Sequence, residues 1–232
     1  INTVKTNIPT FIDGPQIYMP RFAKGTSSFD YNLTPELKRA VIDWVKNLRE
    51  NLGDDAGIAI DLNYNFSFEA IRILSEELEP FKISWFEIDT ANAIALANLR
   101  HMIKTPICSG ENLYGLDEYK PFFNASSMDI ASVDVIWNGL KTATYIAKTA
   151  EGAGMNVCPH NYNGHISTAI SMTFCSLIEN FRIAEIDMDD VPWRDELFTN
   201  QPEIINGCYK MTNRPGWGID LREKVAQKHE WN

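Results

Sequence analysis

Six ionisable residues recur along this chain at nearly constant intervals: Asp61, Glu87, Glu111, Asp134, His160 and Glu185. The steps between them are 26, 24, 23, 26 and 25 residues. Asp61, Glu87 and Glu111 are carboxylates that repel one another if brought together. Glu87 also closes the apolar run KISWFEID, where an ionised carboxylate is costly unless a positive or hydrogen-bonding group meets it. A hard divalent cation relieves both problems, and oxygen-only ligation with room for water and substrate suits magnesium. Asp134 and His160 are a pair of another kind. An imidazole bonded to a carboxylate through one nitrogen has its tautomer set and offers the other nitrogen as a base. Taken singly, each carboxylate reads equally well as a helix cap or an ion pair, and a lone histidine as a core residue. The regular spacing is what favours one shared site.

The spacing also says what must carry these residues. Strand-like runs cover 2–8, 57–63, 82–88, 106–111, 128–136, 155–160 and 181–186, and each of the last six ends at, or within two residues of, one of the six residues. Helical patterns lie between them, over 34–52, 67–79, 91–103, 114–121, 138–152 and 166–178. In the first of these, Leu37, Val41, Val45, Leu48 and Leu52 share one face, Thr34-Pro35 opens it and Gly53 follows it. Strands alternating with helices predict an α/β fold with a parallel sheet, either open and doubly wound or closed as a barrel. In a closed barrel all strand C-termini meet at one mouth, where the six groups would face a common centre. Neighbouring strands lie about 4.8 Å apart, so Asp134 and His160 are expected to be hydrogen bonded. Lys5 and Asn7 on the first strand point to the same side and belong at the same mouth; a lysine snorkelling from a short strand is the alternative, and the position at the start of the ladder favours the mouth. His165 reads as a capping or surface residue, and His101 and His229 as solvated.

Residues 9–33 show no periodicity and are rich in Pro, Gly and Ser. A loop that long is usually a functional lid or disordered. Following the first strand, it is expected to cover the pocket, with Tyr18 and Arg21 as substrate contacts. After residue 187 comes a Pro- and Gly-bearing tail.

The bulk numbers exclude several classes. The chain has 232 residues, 44% hydrophobic and 22% charged, with a net charge of -10. No basic run offers a face for nucleic acid. No apolar stretch reaches the roughly 18 residues of a membrane span. No glycine-rich dinucleotide fingerprint follows the first strand. The four cysteines form no C-x-x-C pair, and Cys108, Cys158 and Cys175 sit in apolar runs. That pattern suits buried free thiols in a reducing compartment, and a cytoplasmic location is expected.

Taken in order, the Lys-x-Asn of VKTN, the Asp-x-Asn of IDLNYN, the Glu of WFEID, the Gly-Glu of SGEN, the Asp of SVDV, the His of CPHN and the Glu of RIAEID resemble the enolase superfamily in its mandelate racemase-like branch. The similarity is greatest to acid-sugar dehydratases. It covers about residues 1–187, with a family-like PGWGIDL in the tail. The resemblance implies a (β/α)7β TIM-type barrel that lacks the N-terminal capping domain and the first barrel strand. Residues 1–187 would be the barrel domain from its second strand onward. Residues 188–232 would be a tail packed on the surface or on the missing cap. Asp61, Glu87 and Glu111 would bind one Mg2+, which holds the substrate carboxylate and stabilises the enediolate. His160, oriented by Asp134, would be the base, with Lys5 and Glu185 as further catalytic groups and Glu185 donating a hydrogen bond to the carboxylate or its developing oxyanion. Asn7 and Asn63 would contact substrate. The implied reaction is loss of the proton α to a carboxylate, most simply dehydration of an aldonate or aldarate to a 2-keto-3-deoxy acid. The alternatives are a racemase or epimerase of a 2-hydroxy acid, and a metal-binding barrel fragment without activity of its own. Racemases of this branch use Lys-x-Lys where this chain has Lys5-Thr6-Asn7, which counts against two-base chemistry. Galactonate-type dehydratases accept that asparagine, but carry a histidine where this chain has Asn63. The partner expected is a small carboxylate and not nucleic acid or membrane, and the protein is expected to be a homo-oligomer.

Overall fold

The computed structural model describes residues 3–11, 14, 16–18, 32–187, 192–201 and 203–229. They form two compact units, residues 1–110 with 121–130, and residues 111–120 with 131–232.

The first unit opens with strand β1 (Thr3–Asn7) and a small antiparallel pair, β2 (Pro9–Thr10) and β3 (Gln16–Ile17). Part of the segment expected to be irregular is therefore a hairpin. Helix α1 (Pro35–Leu52) is capped as its sequence predicts: the Thr34 hydroxyl accepts from the Leu37 N–H, and Gly53 ends it at φ 78°. Leu37, Val41 and Val45 are buried, while Leu52 at the last turn is exposed. Strand β4 (Gly57–Asp61), helix α2 (Phe68–Leu78), strand β5 (Trp85–Glu87), helix α3 (Ala93–Met102) and strand β6 (Ile107–Ser109) follow. Strands β1, β4, β5 and β6 make a parallel ladder in that order. Its register sets the height of the polar residues, since Asn7 pairs with Asp61, and Asp61 with Glu87. Gly57 starts β4 because a Cβ there would lie 2.5 Å from the Thr3 hydroxyl oxygen. Ile58, Ile60, Phe86, Ile107, Leu74 and Leu96 form a fully buried core between strands and helices.

Helix α4 (Gly115–Asn124) and strand β7 (Ile130–Ser132) lead into the second unit, with helices α5 (Val135–Asn138) and α6 (Leu140–Gly152), strand β8 (Asn156–Cys158) and helix α7 (Gly164–Cys175). The expected strand over 128–136 is thus cut short: Asp134 accepts from the Trp137 N–H through its side chain and starts a helix. The expected strand over 181–186 is reduced to one parallel bridge, Phe181 to Val157. The tail contributes the hairpin β9 (Ile204–Ile205) and β10 (Cys208–Tyr209) and a short helix α8 (Glu223–Ala226). Cys108, Cys158 and Cys175 are buried free thiols and Cys208 is exposed. Among the described residues, no helix is long and apolar enough to cross a membrane.

Candidate active site

In the first unit, strands β1, β4 and β5 end in a cluster of opposite charges. Glu87 is 3% exposed, and the Lys5 ammonium donates to its Oε2 at 2.8 Å. The same ammonium lies 3.8 Å from Asp61 Oδ2. Asp61 Oδ1 accepts from the Asn63 N–H at 2.8 Å, and Asn63 Nδ2 donates back to the Asp61 carbonyl at 3.2 Å. An Asx-type turn therefore fixes the Asp61 carboxylate where β4 ends. The turn continues through three non-glycine residues with left-handed backbones, Asn63 (φ 50°), Tyr64 (φ 62°) and Phe66 (φ 74°). For residues of this bulk such a conformation costs on the order of 1–3 kcal/mol each, which marks a segment held by its surroundings. What holds it includes Tyr18, whose ring stacks on Phe66 at 6.1 Å and whose carbonyl accepts from Asn65 Nδ2 at 3.2 Å. Asn7 is half-buried and level with Asp61. Arg21 lies outside the described residues. Asp89, two residues beyond Glu87, accepts from the Gly110 N–H at 3.1 Å and steadies the chain just before Glu111.

The second unit holds the imidazole. Asp134 is fully buried, and each oxygen has its own donor: Oδ1 accepts from the Trp137 N–H and Oδ2 from His160 Nδ1, both at 2.8 Å. The expected Asp–His bond is therefore present. Because a carboxylate only accepts, Nδ1 carries the proton. Nε2 lies 3.4 Å from Glu111 Oε2, whose Oε1 accepts from Asn112 Nδ2 at 3.2 Å. Glu185 Oε2 accepts from the Asn161 N–H at 2.9 Å, and its carbonyl accepts from Asn161 Nδ2 at 2.9 Å. Asn161 itself is fully buried, with its Oδ1 accepting from the Ser167 hydroxyl at 2.6 Å. Sequence reasoning missed Asn161. Its only signal was adjacency to His160 in CPHN.

Three other histidines have distinct settings. His165 is buried rather than capping or on the surface: Nε2 bonds Asp195 at 2.7 Å and the ring meets Phe198 edge-on. The tail supplies both partners, which a local reading of its helix could not foresee. His101 is exposed with Nδ1 on the Ala97 carbonyl, and His229 stacks on Trp193.

Among the described residues, no group of three His, Cys, Asp or Glu side chains is arranged to hold a metal ion. Lys5 draws Glu87 and Asp61 to itself, and Glu111 faces His160. The donor chemistry nonetheless fits magnesium. Two carboxylates stand level on adjacent parallel strands, supply only oxygen, and already hold one positive charge between them.

Residues 21–225 match the family described as "Enolase C-terminal domain-like", and the chain belongs to that family. It is 27% identical over 212 residues to a D-gluconate/D-galactonate dehydratase of Picrophilus torridus, covering 90% of this chain and 54% of that protein. It is 29% identical over 192 residues to an arabinonate dehydratase of Saccharolobus solfataricus, covering 82% of this chain and 51% of that one. A Burkholderia xenovorans structure, described as a candidate L-alanine-DL-glutamate epimerase bound to magnesium and fumarate, superposes with a TM-score of 0.93 at 39% identity. That match covers 98% of this chain and 57% of the other. The chain therefore spans about half the length of the curated relatives it matches. The fold is the parallel α/β C-terminal barrel domain of the enolase superfamily.

Proposed function

We propose that the intact protein is a magnesium-dependent lyase that dehydrates an acid sugar, an aldonate or aldarate, to a 2-keto-3-deoxy acid. The observation that carries this reading is the buried Asp134–His160 pair, in which the carboxylate sets the imidazole tautomer and orientation. The dehydratase relatives supply the substrate class.

In this reading His160 Nε2 removes the proton α to the carboxylate, while Asp134 keeps the Nδ1 proton and steadies the imidazolium. The same imidazolium then returns its proton to the β-hydroxyl, which leaves as water. The resulting enol becomes the 2-keto-3-deoxy acid by tautomerisation. Asp61, Glu87 and Glu111 would hold magnesium, which when bound supplies positive charge against the carboxylate as the α-proton is lost. Lys5 adds a further cation on the face of β1, and Glu185, fixed by Asn161, contacts the substrate carboxylate. Asn7, Asn63 and Tyr18 line the substrate side. The magnesium of the Burkholderia structure supports the metal assignment. We further infer a homo-oligomer acting on small molecules in the cytoplasm.

A second reading, epimerisation of a carboxylate substrate, is favoured by that same neighbour at 39% identity. Asn7 opposes it, because the second base of a two-base mechanism is missing at that position. The deciding experiment offers intact protein and magnesium a panel of aldonic and aldaric acids. Formation of 2-keto-3-deoxy acid supports dehydration. Deuterium entering the α-position of both epimers from heavy water, with no keto acid formed, would replace it with epimerisation.

A further inference from the structure

Three aromatic side chains surround His160 that proton transfer does not use. Trp137 and Tyr162 flank the imidazole, each with its ring centroid 5.9 Å away and planes tilted at 57° and 47°. Tyr114 stacks on Trp137 at 5.5 Å with an interplanar angle of 4°. The imidazole is 8% exposed, whereas Tyr114, Trp137 and Tyr162 are 53%, 41% and 63% exposed.

Hydrogen bonds hold the backbone beneath two of these rings next to His160. Asp134, which orients His160, also accepts from the Trp137 backbone N–H. The next residue, Asn138, accepts from the Gly115 N–H at 2.7 Å and donates to the carbonyls of Leu113 at 3.1 Å and Asp134 at 3.0 Å. The loop carrying Tyr114 is thereby bound to the short helix carrying Trp137. Large aromatics this exposed, on backbone this firmly held, mark a binding surface.

The rings also indicate what they bind. Their faces are apolar and carry the negative side of the ring quadrupole, while the phenol O–H and indole N–H lie at the rims. An anionic carboxylate is disfavoured against such faces. The uncharged chain of a sugar acid is complementary, with C–H groups to lie on the rings and hydroxyls to reach the rims.

We infer that Tyr114, Trp137 and Tyr162 form a specificity platform beside His160 that takes the uncharged, hydroxyl-bearing end of the substrate, selecting aldonates over aldarates. An aldarate would set its second carboxylate against the ring faces. This inference rests on the acid-sugar reading above.

The test uses intact protein with Tyr114→Leu, Tyr162→Leu and Trp137→Phe. The ratio of kcat/KM for a six-carbon aldonate over the matching aldarate should fall about tenfold in each Leu variant and stay within about threefold for Trp137→Phe, which keeps a ring. Binding is read separately by saturation-transfer NMR with irradiation of aromatic protons, using the His160→Asn variant so that the aldonate is not consumed. Saturation should be strongest on the C–H protons farthest from the carboxylate, and weaken when Tyr114→Leu is added. If keto acid forms but the ratio does not move and saturation is even along the chain, the platform is overturned and the reaction stands. If no keto acid forms but distal saturation appears and depends on Tyr114, the platform stands and the reaction falls. If no sugar acid binds, both fall.

Discussion

The ends of β1, β4 and β5 and the surroundings of His160 solve the same problem in different ways. Each buries a carboxylate, Glu87 at 3% exposure in one and Asp134 at 0% in the other. Glu87 is satisfied by a charge, the Lys5 ammonium. Asp134 is satisfied by direction, with one donor per oxygen and, among the described residues, no lysine or arginine among its hydrogen-bonding partners. A charge-balanced site accepts exchange of one cation for another. A site built from directed hydrogen bonds cannot change partner without losing the tautomer it sets. The first suits holding a metal and the second suits holding a base.

The largest effect should come from the second. His160→Asn is expected to lower α-proton exchange by about 10²–10⁴-fold, the usual worth of a general base, with magnesium affinity nearly kept. Exchange is read by NMR in heavy water and affinity by titration calorimetry. Undiminished exchange would move the base elsewhere, with Lys5 the next candidate.

Asp134→Asn should leave the fold intact, because an asparagine oxygen can still cap Val135–Asn138. Its amide would donate toward Nδ1 and force the proton onto Nε2, so the rate should fall about 100-fold, within the usual worth of a base. Nitrogen-15 shifts of the imidazole report the tautomer. An unchanged tautomer with an unchanged rate would remove the distinction between the two regions.

Lys5→Met leaves Glu87 buried without its ammonium, and should cost roughly 3 kcal/mol of stability in metal-free protein. If the site is an exchangeable-cation site, magnesium should restore part of that loss. Urea unfolding with and without magnesium measures both. Loss of stability with no restoration would make Lys5–Glu87 a structural pair only.

The smallest effect lies outside both regions and sets a baseline. Burial pushes the Cys175 thiol up to about 12 from an ordinary 9.0. The folded chain then holds a proton that the unfolded chain releases. Stability from this group is complete below pH 9.0 and declines between pH 9.0 and 12. The slope should be about 1 kcal/mol per pH unit, and Cys175→Ala should flatten it. At neutral pH, iodoacetamide should modify the exposed Cys208 and spare Cys175 until the chain unfolds.

The α/β alternation, the α1 caps and the Asp134–His160 pair were all legible in the sequence, because each rests on spacing or on short-range chemistry. Strand register then converts even spacing into height, as when Asp61 meets Glu87. Other features depend on contacts between residues far apart in the chain. Lys5 reaches Glu87 across 82 positions, which no local pattern encodes. His165 is buried because Asp195 and Phe198 come back to meet it. The strand expected at 181–186 shrank to a bridge, since strand propensity needs a partner along its whole length and Val157 supplies only one. The aromatic surround of His160 joins residues from three separate loops and helices, each unremarked alone. Residue types and intervals determined which chemistry the chain could carry. Tertiary packing decided which charges neutralise one another and which rings stand exposed beside His160, because those depend on distances that only the folded chain brings down to a few ångströms.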